Sequence, residues 1–245
     1  VKRRLLLLLL IAFIFKSYSQ DKKTTFQLSI GPTLSIPKTS ELTDTDVDGS
    51  PEIKSSINIG GYILPSINYS FNEKLSLDIG LGYYLDRFAI EDKFAAITNK
   101  VNRNISQIQV PMHINFHFGS DNSYHFGIGG FTSIVLSAKE KGETITDLNQ
   151  IDLVDPLDPV FQSNSTVGYK NNIKDNYNTV NFGAFIQLKK FFSLSETKKA
   201  FVLVKINQYF NSIKSNDPNA DIANYVNFKD EKEPTTINFG FGIEI

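Results

Sequence analysis

Asp44-Thr45-Asp46-Val47-Asp48-Gly49 is the sharpest chemical pattern in this sequence. Carboxylates at positions 1, 3 and 5 and a glycine at position 6 match the opening of a calcium loop, with Glu52 at position 9. Position 12 is Ser55, where such a loop carries a bidentate Glu. Asp44, Asp46, Asp48 and Glu52 are therefore candidate ligands for weakly held Ca2+, beside the plainer reading of a solvated acidic loop. No other cofactor is expected. Four isolated charges, Asp78, Lys189, Lys205 and Glu244, stand in segments otherwise made of apolar, small and amide residues. Charges in a low-dielectric interior must find partners, so these four are expected to pair as one network. His117 and His125 flank a short turn and should face each other, either as a zinc or copper pair or as packing, with His113 on the same face as His117. None of the three histidines lies in a long connection, so a nucleophile there would lack its base. No catalytic residue is assigned and the chain is read as a non-enzyme.

What must position these residues is a set of strands. From Thr24 onward the sequence alternates with period two. Ile237, Phe239, Phe241, Ile243 and Ile245 share one face of the last segment, and Thr236, Asn238, Gly240, Gly242 and Glu244 the other. Ile108, Val110, Met112, Ile114, Phe116 and Phe118 alternate with Gln107, Gln109, Pro111, His113, Asn115 and His117. Six further segments behave alike, near 26–36, 57–71, 75–85, 124–136, 180–188 and 202–210. Short connections (72–74, 119–123 and 193–199) alternate with long ones near 39–57, 92–104, 141–178 and 214–234. Eight strands running up and down through a slab would give this arrangement.

The polar face is Gly, Ser, Asn and Gln rather than the Lys and Glu of a sandwich facing water. The other face is continuous Ile, Leu, Val and Phe on every strand. If lipid solvates that face, every backbone group must be paired and the sheet must close. Eight strands leave an interior that side chains can fill, and Tyr62, Leu64, Tyr84, Phe88, Phe131, Phe185, Phe201 and Tyr209 are the expected filling. Aromatic residues, among them Tyr69, Phe71, Phe116, Phe118, Tyr124, Phe126 and Phe192, gather at the short-turn rim as an interfacial girdle. The expected fold class is all-β, an eight-stranded antiparallel up-and-down transmembrane β-barrel, with the short turns periplasmic and the long loops extracellular.

The composition agrees. The 245 residues include 20 Phe and 10 Tyr, no Trp and no Cys, which favours strands and removes disulfides and thiolate sites. A net charge of −1 gives no basic excess for nucleic acid. Lys2, Arg3 and Arg4 precede an apolar run, Leu5 to Phe15, too short to span a bilayer as a helix, and Ser17-Tyr18-Ser19 follows as a small-x-small site. Residues 1–19 are expected to be a cleaved secretory signal peptide, and 20–245 the barrel.

On Gln27-Leu28-Ser29-Ile30-Gly31-Pro32, Ile108-Gln109-Val110-Pro111, Phe126-Gly127-Ile128-Gly129-Gly130-Phe131 and Ile237-Asn238-Phe239-Gly240-Phe241-Gly242, the chain resembles the small outer-membrane β-barrel domain family, the "porin family" proteins of Gram-negative bacteria. The resemblance implies export through the periplasm into the outer membrane, with outer-membrane lipid and lipopolysaccharide as partners. The function expected is a structural or partner-binding scaffold with a filled lumen, and the loop at 141–178 is either a protein-docking element or a disordered cap. A narrow channel, or a barrel subunit of a secretion machine, is the alternative.

Overall fold

The computed structural model describes residues 23–36, 52–94, 96–119, 121–147, 165–195, 198–213, 215 and 234–245. Residues 1–22, where the signal peptide is expected, and the stretches 37–51 (with Asp44, Asp46 and Asp48), 148–164 and 216–233 lie outside the described residues. Eleven strands are β1 (Thr24–Ile36), β2 (Glu52–Ile57), β3 (Ile59–Asn72), β4 (Leu75–Gly80), β5 (Gly82–Phe94), β6 (Ile97–Phe118), β7 (Tyr124–Thr146), β8 (Ser165–Asn172), β9 (Val180–Ser193), β10 (Lys199–Tyr209) and β11 (Thr235–Glu244). They form an antiparallel ring of eight: β1, β3, β4 with β5, β6, β7, β9, β10 and β11, which returns to β1. The surplus over eight arises where β2 prolongs β3, where β4 and β5 are one strand interrupted at Leu81, and where β8 prolongs β9 beyond a 3-10 turn at Lys174–Asn176. The ring shuts through reciprocal bonds, Phe26 N–H to the Ile245 carbonyl (3.0 Å) and Ile245 N–H to the Phe26 carbonyl (2.9 Å).

Alternation sorts the residues as the sequence suggests. All eight expected filling side chains, Tyr62 to Tyr209, are buried, while Ile30, Ile63, Ile128, Ile186, Val202 and Phe241 stand about half exposed on the outer wall. On the described residues no helix is long and apolar enough to cross a membrane, which says nothing about strands.

At the short-turn rim, β6 and β7 are joined through Gly119, whose φ of +93° is a conformation costly for any side chain. A Cβ there would also approach the Tyr124 ring to 3.1 Å. Gly119→Ala should therefore lower barrel stability by about 1–2 kcal/mol, read as an earlier urea midpoint with the folded gel mobility retained. The same turn carries Asp121, whose carboxyl is held below its ordinary value by hydrogen bonding to Ser123.

The far rim departs from expectation. The connection expected at 92–104 is not a loop: β5 and β6 continue in register to Phe94↔Ile97. Part of 141–178 is strand as well, because β7 runs to Thr146 and pairs with β8 from Lys139↔Asn172 to Thr146↔Ser165. The pattern inverts along these overruns. Phe88, Ile90, Val101, Ile105, Val135 and Ala138 form a buried apolar cluster inside the ring with Ile173, Tyr177 and Ile213, while Lys100, Lys139, Lys141 and Glu143 lie on the outer face, exposed. A strand that leaves lipid for water must exchange an apolar exterior for a polar one. A reading that follows one hydrophobic face loses it at that exchange.

Candidate functional site

The lumen holds the polar groups that barrel closure removes from water. Asp78 on β4 is fully buried, with Lys189 Nζ from β9 at 2.7 Å and His113 Nε2 from β6 at 3.0 Å. Asn68 Nδ2 donates to its other oxygen at 2.6 Å. Lys189 also donates to Gln27 Oε1 at 2.7 Å, and Gln27 Nε2 donates to Glu244 Oε2 at 2.6 Å. Asp78, Lys189 and Glu244 are thus joined, with Gln27 as the link that the charge pattern did not name. Lys199, about half exposed, reaches Glu244 at 3.9 Å. The arrangement neutralises each buried charge and spends its remaining lone pairs and protons on amides, the condition for tolerating ions in low dielectric.

Lys205 does not join this network as expected. It faces Gln187 and Asn238 across β9 and β11, while Lys189 faces Leu203 on β10. That register sets Lys205 one inward row farther from the short-turn rim than Lys189, which already occupies Asp78. Its ammonium sits 4.1 Å from the Phe185 ring centroid, 5.3 Å from that of Tyr84 and 3.4 Å from the Tyr84 hydroxyl. Cation–π attraction and one long hydrogen bond thus take the place of a carboxylate.

His117 and His125 face each other across β6 and β7 with stacked rings, 3.7 Å between centroids. His117 Nδ1 donates to the Glu73 carbonyl (3.0 Å), and its Nε2 meets the Ser76 hydroxyl (2.9 Å). His125 Nε2 lies 3.2 Å from the Asn122 carbonyl. Among the described residues no group of three His, Asp or Glu side chains is placed to hold a metal. The two rings are stacked on each other, and each has at least one nitrogen within hydrogen-bond distance of a neighbour. Of the four calcium candidates, only the backbone of Glu52 is described, opening β2.

Above the network the lumen is closed by side chains. Tyr62 and Tyr84 stack at 5.3 Å, and the Tyr209 hydroxyl donates to Gln107 Oε1 (2.9 Å) and accepts from Gln109 Nε2 (3.1 Å). Asp86 accepts from Gln107 just beside them. Two cavities flank this layer. The one towards the far rim, at Asp86 and Tyr209, is about 20 Å³; the one towards the short turns, at Lys189 and Lys205, is about 10 Å³. Each has room for about one water.

Farther out, beyond the apolar band, Arg103 and Glu140 form a buried ion pair at 2.9 Å. Tyr169 on β8 packs there, and burial pushes its hydroxyl up to about 12. Sequence reasoning did not single out this pair. Strict alternation from Tyr124 aims Glu140 outward. A β-bulge at Leu136, opposite Ser106 and Gln107, adds a residue and turns Glu140 inward and Lys139 and Lys141 outward.

A family model described as outer membrane protein beta-barrel domain matches residues 18–203. No curated protein matches the chain. Among solved structures it is similar to Neisserial surface protein A (10% identity, TM-score 0.40, covering 91% of this chain and 96% of that one). It is also similar to the outer membrane protein OprG from Pseudomonas aeruginosa (14%, 0.40, 91% and 97%). A third is Ail, the attachment invasion locus protein of Yersinia pestis (10%, 0.36, 91% and 99%).

Proposed function

The chain belongs to the outer membrane protein β-barrel domain family and resides in the bacterial outer membrane, and from that premise we propose that it works as a closed scaffold rather than as a conduit. The observation that carries this reading is the filled lumen. The Asp78–Lys189–Gln27–Glu244 chain, the Tyr62–Tyr84 stack and the Tyr209–Gln107–Gln109 layer succeed one another between the rims. A hydrated ion would have to break several buried hydrogen bonds to pass. In this reading the short turns face the periplasm, and the overrunning β5–β8 wall carries the partner-binding surface together with the stretch 141–178, of which 148–164 lie outside the described residues. The role is non-catalytic: all three histidines lie in the short-turn half, and both ring nitrogens of His117 are engaged.

One observation favours a narrow channel as the second reading. Lys205 is a buried cation whose described contacts include no carboxylate, and such a group suits an anion path. Planar-bilayer recording separates the two. The wild type should give no conductance steps, and the double variant Tyr84→Ala, Tyr209→Ala, which removes the middle layer, should give them. Steps in the wild type that change with Lys205→Ala would instead establish the channel.

A further inference from the structure

The outer face of the far-rim wall carries a charge pattern that the closed lumen does not require. Cross-strand register orders it into rows. The last wholly apolar row of the band is Tyr83, Ile108, Ile134 and Val180, with Leu85 and Leu136 beside serines in the mixed row above it. The Tyr83 hydroxyl, donating to Ser106 at 3.0 Å, marks the point where the wall turns polar. Past Ser106 and Ser137 comes Arg87, Asn104, Lys139 and Asn172, and then Ala89, Asn102, Lys141 and Lys170. These two rows hold four cations and, among the described residues, no carboxylate. The next row, Lys54, Glu91, Lys100 and Glu143, alternates in sign and carries no surplus. The cationic surplus is thus confined to the two rows nearest the lipid, roughly 10–15 Å above the last apolar row at strand rise and barrel tilt.

Two features say that this surplus awaits an anion. Lys141 lies directly opposite Lys170 across β7 and β8, a like-charge pair that by itself weakens the sheet. The Leu136 bulge is also what brings Lys139 and Lys141 to this face, since unbroken alternation would send both into the lumen. Arg87 is partly fixed by Nε donating to Asn104 at 2.7 Å, whereas Lys139, Lys141 and Lys170 are exposed. The patch is continuous with the lipid-facing band, so what lies against it is the headgroup layer of the leaflet that meets the far rim.

We propose that Lys139, Lys141 and Lys170, with Arg87 beside them, bind the phosphate of a phosphorylated glycolipid headgroup in the outer leaflet. Long basic side chains on a wall are suited to this, because their stems lie along apolar surface while their heads reach the headgroup plane. The inference rests on the outer-membrane placement and on the far rim facing outward. It does not rest on the closed lumen, so conductance in the wild type would leave it standing.

Native mass spectrometry of the full-length protein in detergent tests it, with diphosphoryl lipid A as the probe beside the same lipid stripped of its phosphates. The wild type should retain the phosphorylated form at least about tenfold better, and K139Q/K141Q/K170Q should lose that preference while keeping its folded gel mobility. Raising salt from about 0.05 to about 0.5 M should loosen only the phosphorylated lipid in the wild type, a readout that needs no variant. Equal retention of the two lipids, an undiminished preference in the folded variant, or a preference indifferent to salt would overturn the proposal. So would displacement of the lipid by inorganic phosphate at equal concentration, which would assign the lysines to a free anion.

Discussion

Ile186→Arg should cost the barrel about 2–4 kcal/mol, whereas Phe192→Arg on the same face of the same strand should cost about 0–1. Both residues are roughly half exposed on the outer wall of β9. In water an arginine at either place would be nearly neutral, since it could extend into solvent. In a bilayer Ile186 lies midway between the two rims, in the outward apolar run Val180, Phe182, Ala184, Ile186 and Leu188, where a guanidinium has only acyl chains around it. Phe192 lies beside the short-turn rim, where it can reach headgroups. Denaturant titration of protein folded into lipid vesicles reads the difference directly. Equal costs at the two sites would mean that the outer wall is not graded by lipid depth.

Asp78→Asn should be the most damaging near-isosteric change in the lumen, at about 3–5 kcal/mol. The amide fits the space of the carboxylate but leaves the Lys189 ammonium buried without its counter-ion. The same titration would show it as a large shift in midpoint with little change in slope. Adding Lys189→Met removes the stranded charge, so the double variant should recover most of the loss. The coupling between the two sites should be several times that of the longer rim pair Lys199 with Glu244, whose lysine is half exposed. If Asp78→Asn cost under about 1 kcal/mol, or the double variant were no better than the single, Lys189 would not depend on Asp78. Salt should matter little to either result, because the pair is shielded from solvent.

The sequence by itself determined the wall. Alternation at Phe239 and Phe241 against Asn238 and Gly240 could be solvated only with one face in lipid and one in a narrow interior, and residue types alone decide that sorting. It also determined the eight side chains from Tyr62 to Tyr209 that fill the lumen within the apolar band, because there parity along each strand runs unbroken. Register was beyond it. Whether Lys189 or Lys205 takes Asp78 depends on the stagger between β4, β9 and β10, and Gln27 enters the network only because β1 lies beside β11. The strand ends at the far rim were hidden for a different reason: the polarity of the two faces reverses where lipid gives way to water, so 92–104 resembles a loop although β5 runs to Phe94 and β6 starts at Ile97. One extra residue at Leu136 then decides which way Lys139, Glu140 and Lys141 point. Local pattern fixes a side chain's preference for one solvent or the other. Which neighbour it meets is a property of how the ring is staggered, and that is set only when eight strands close on one another.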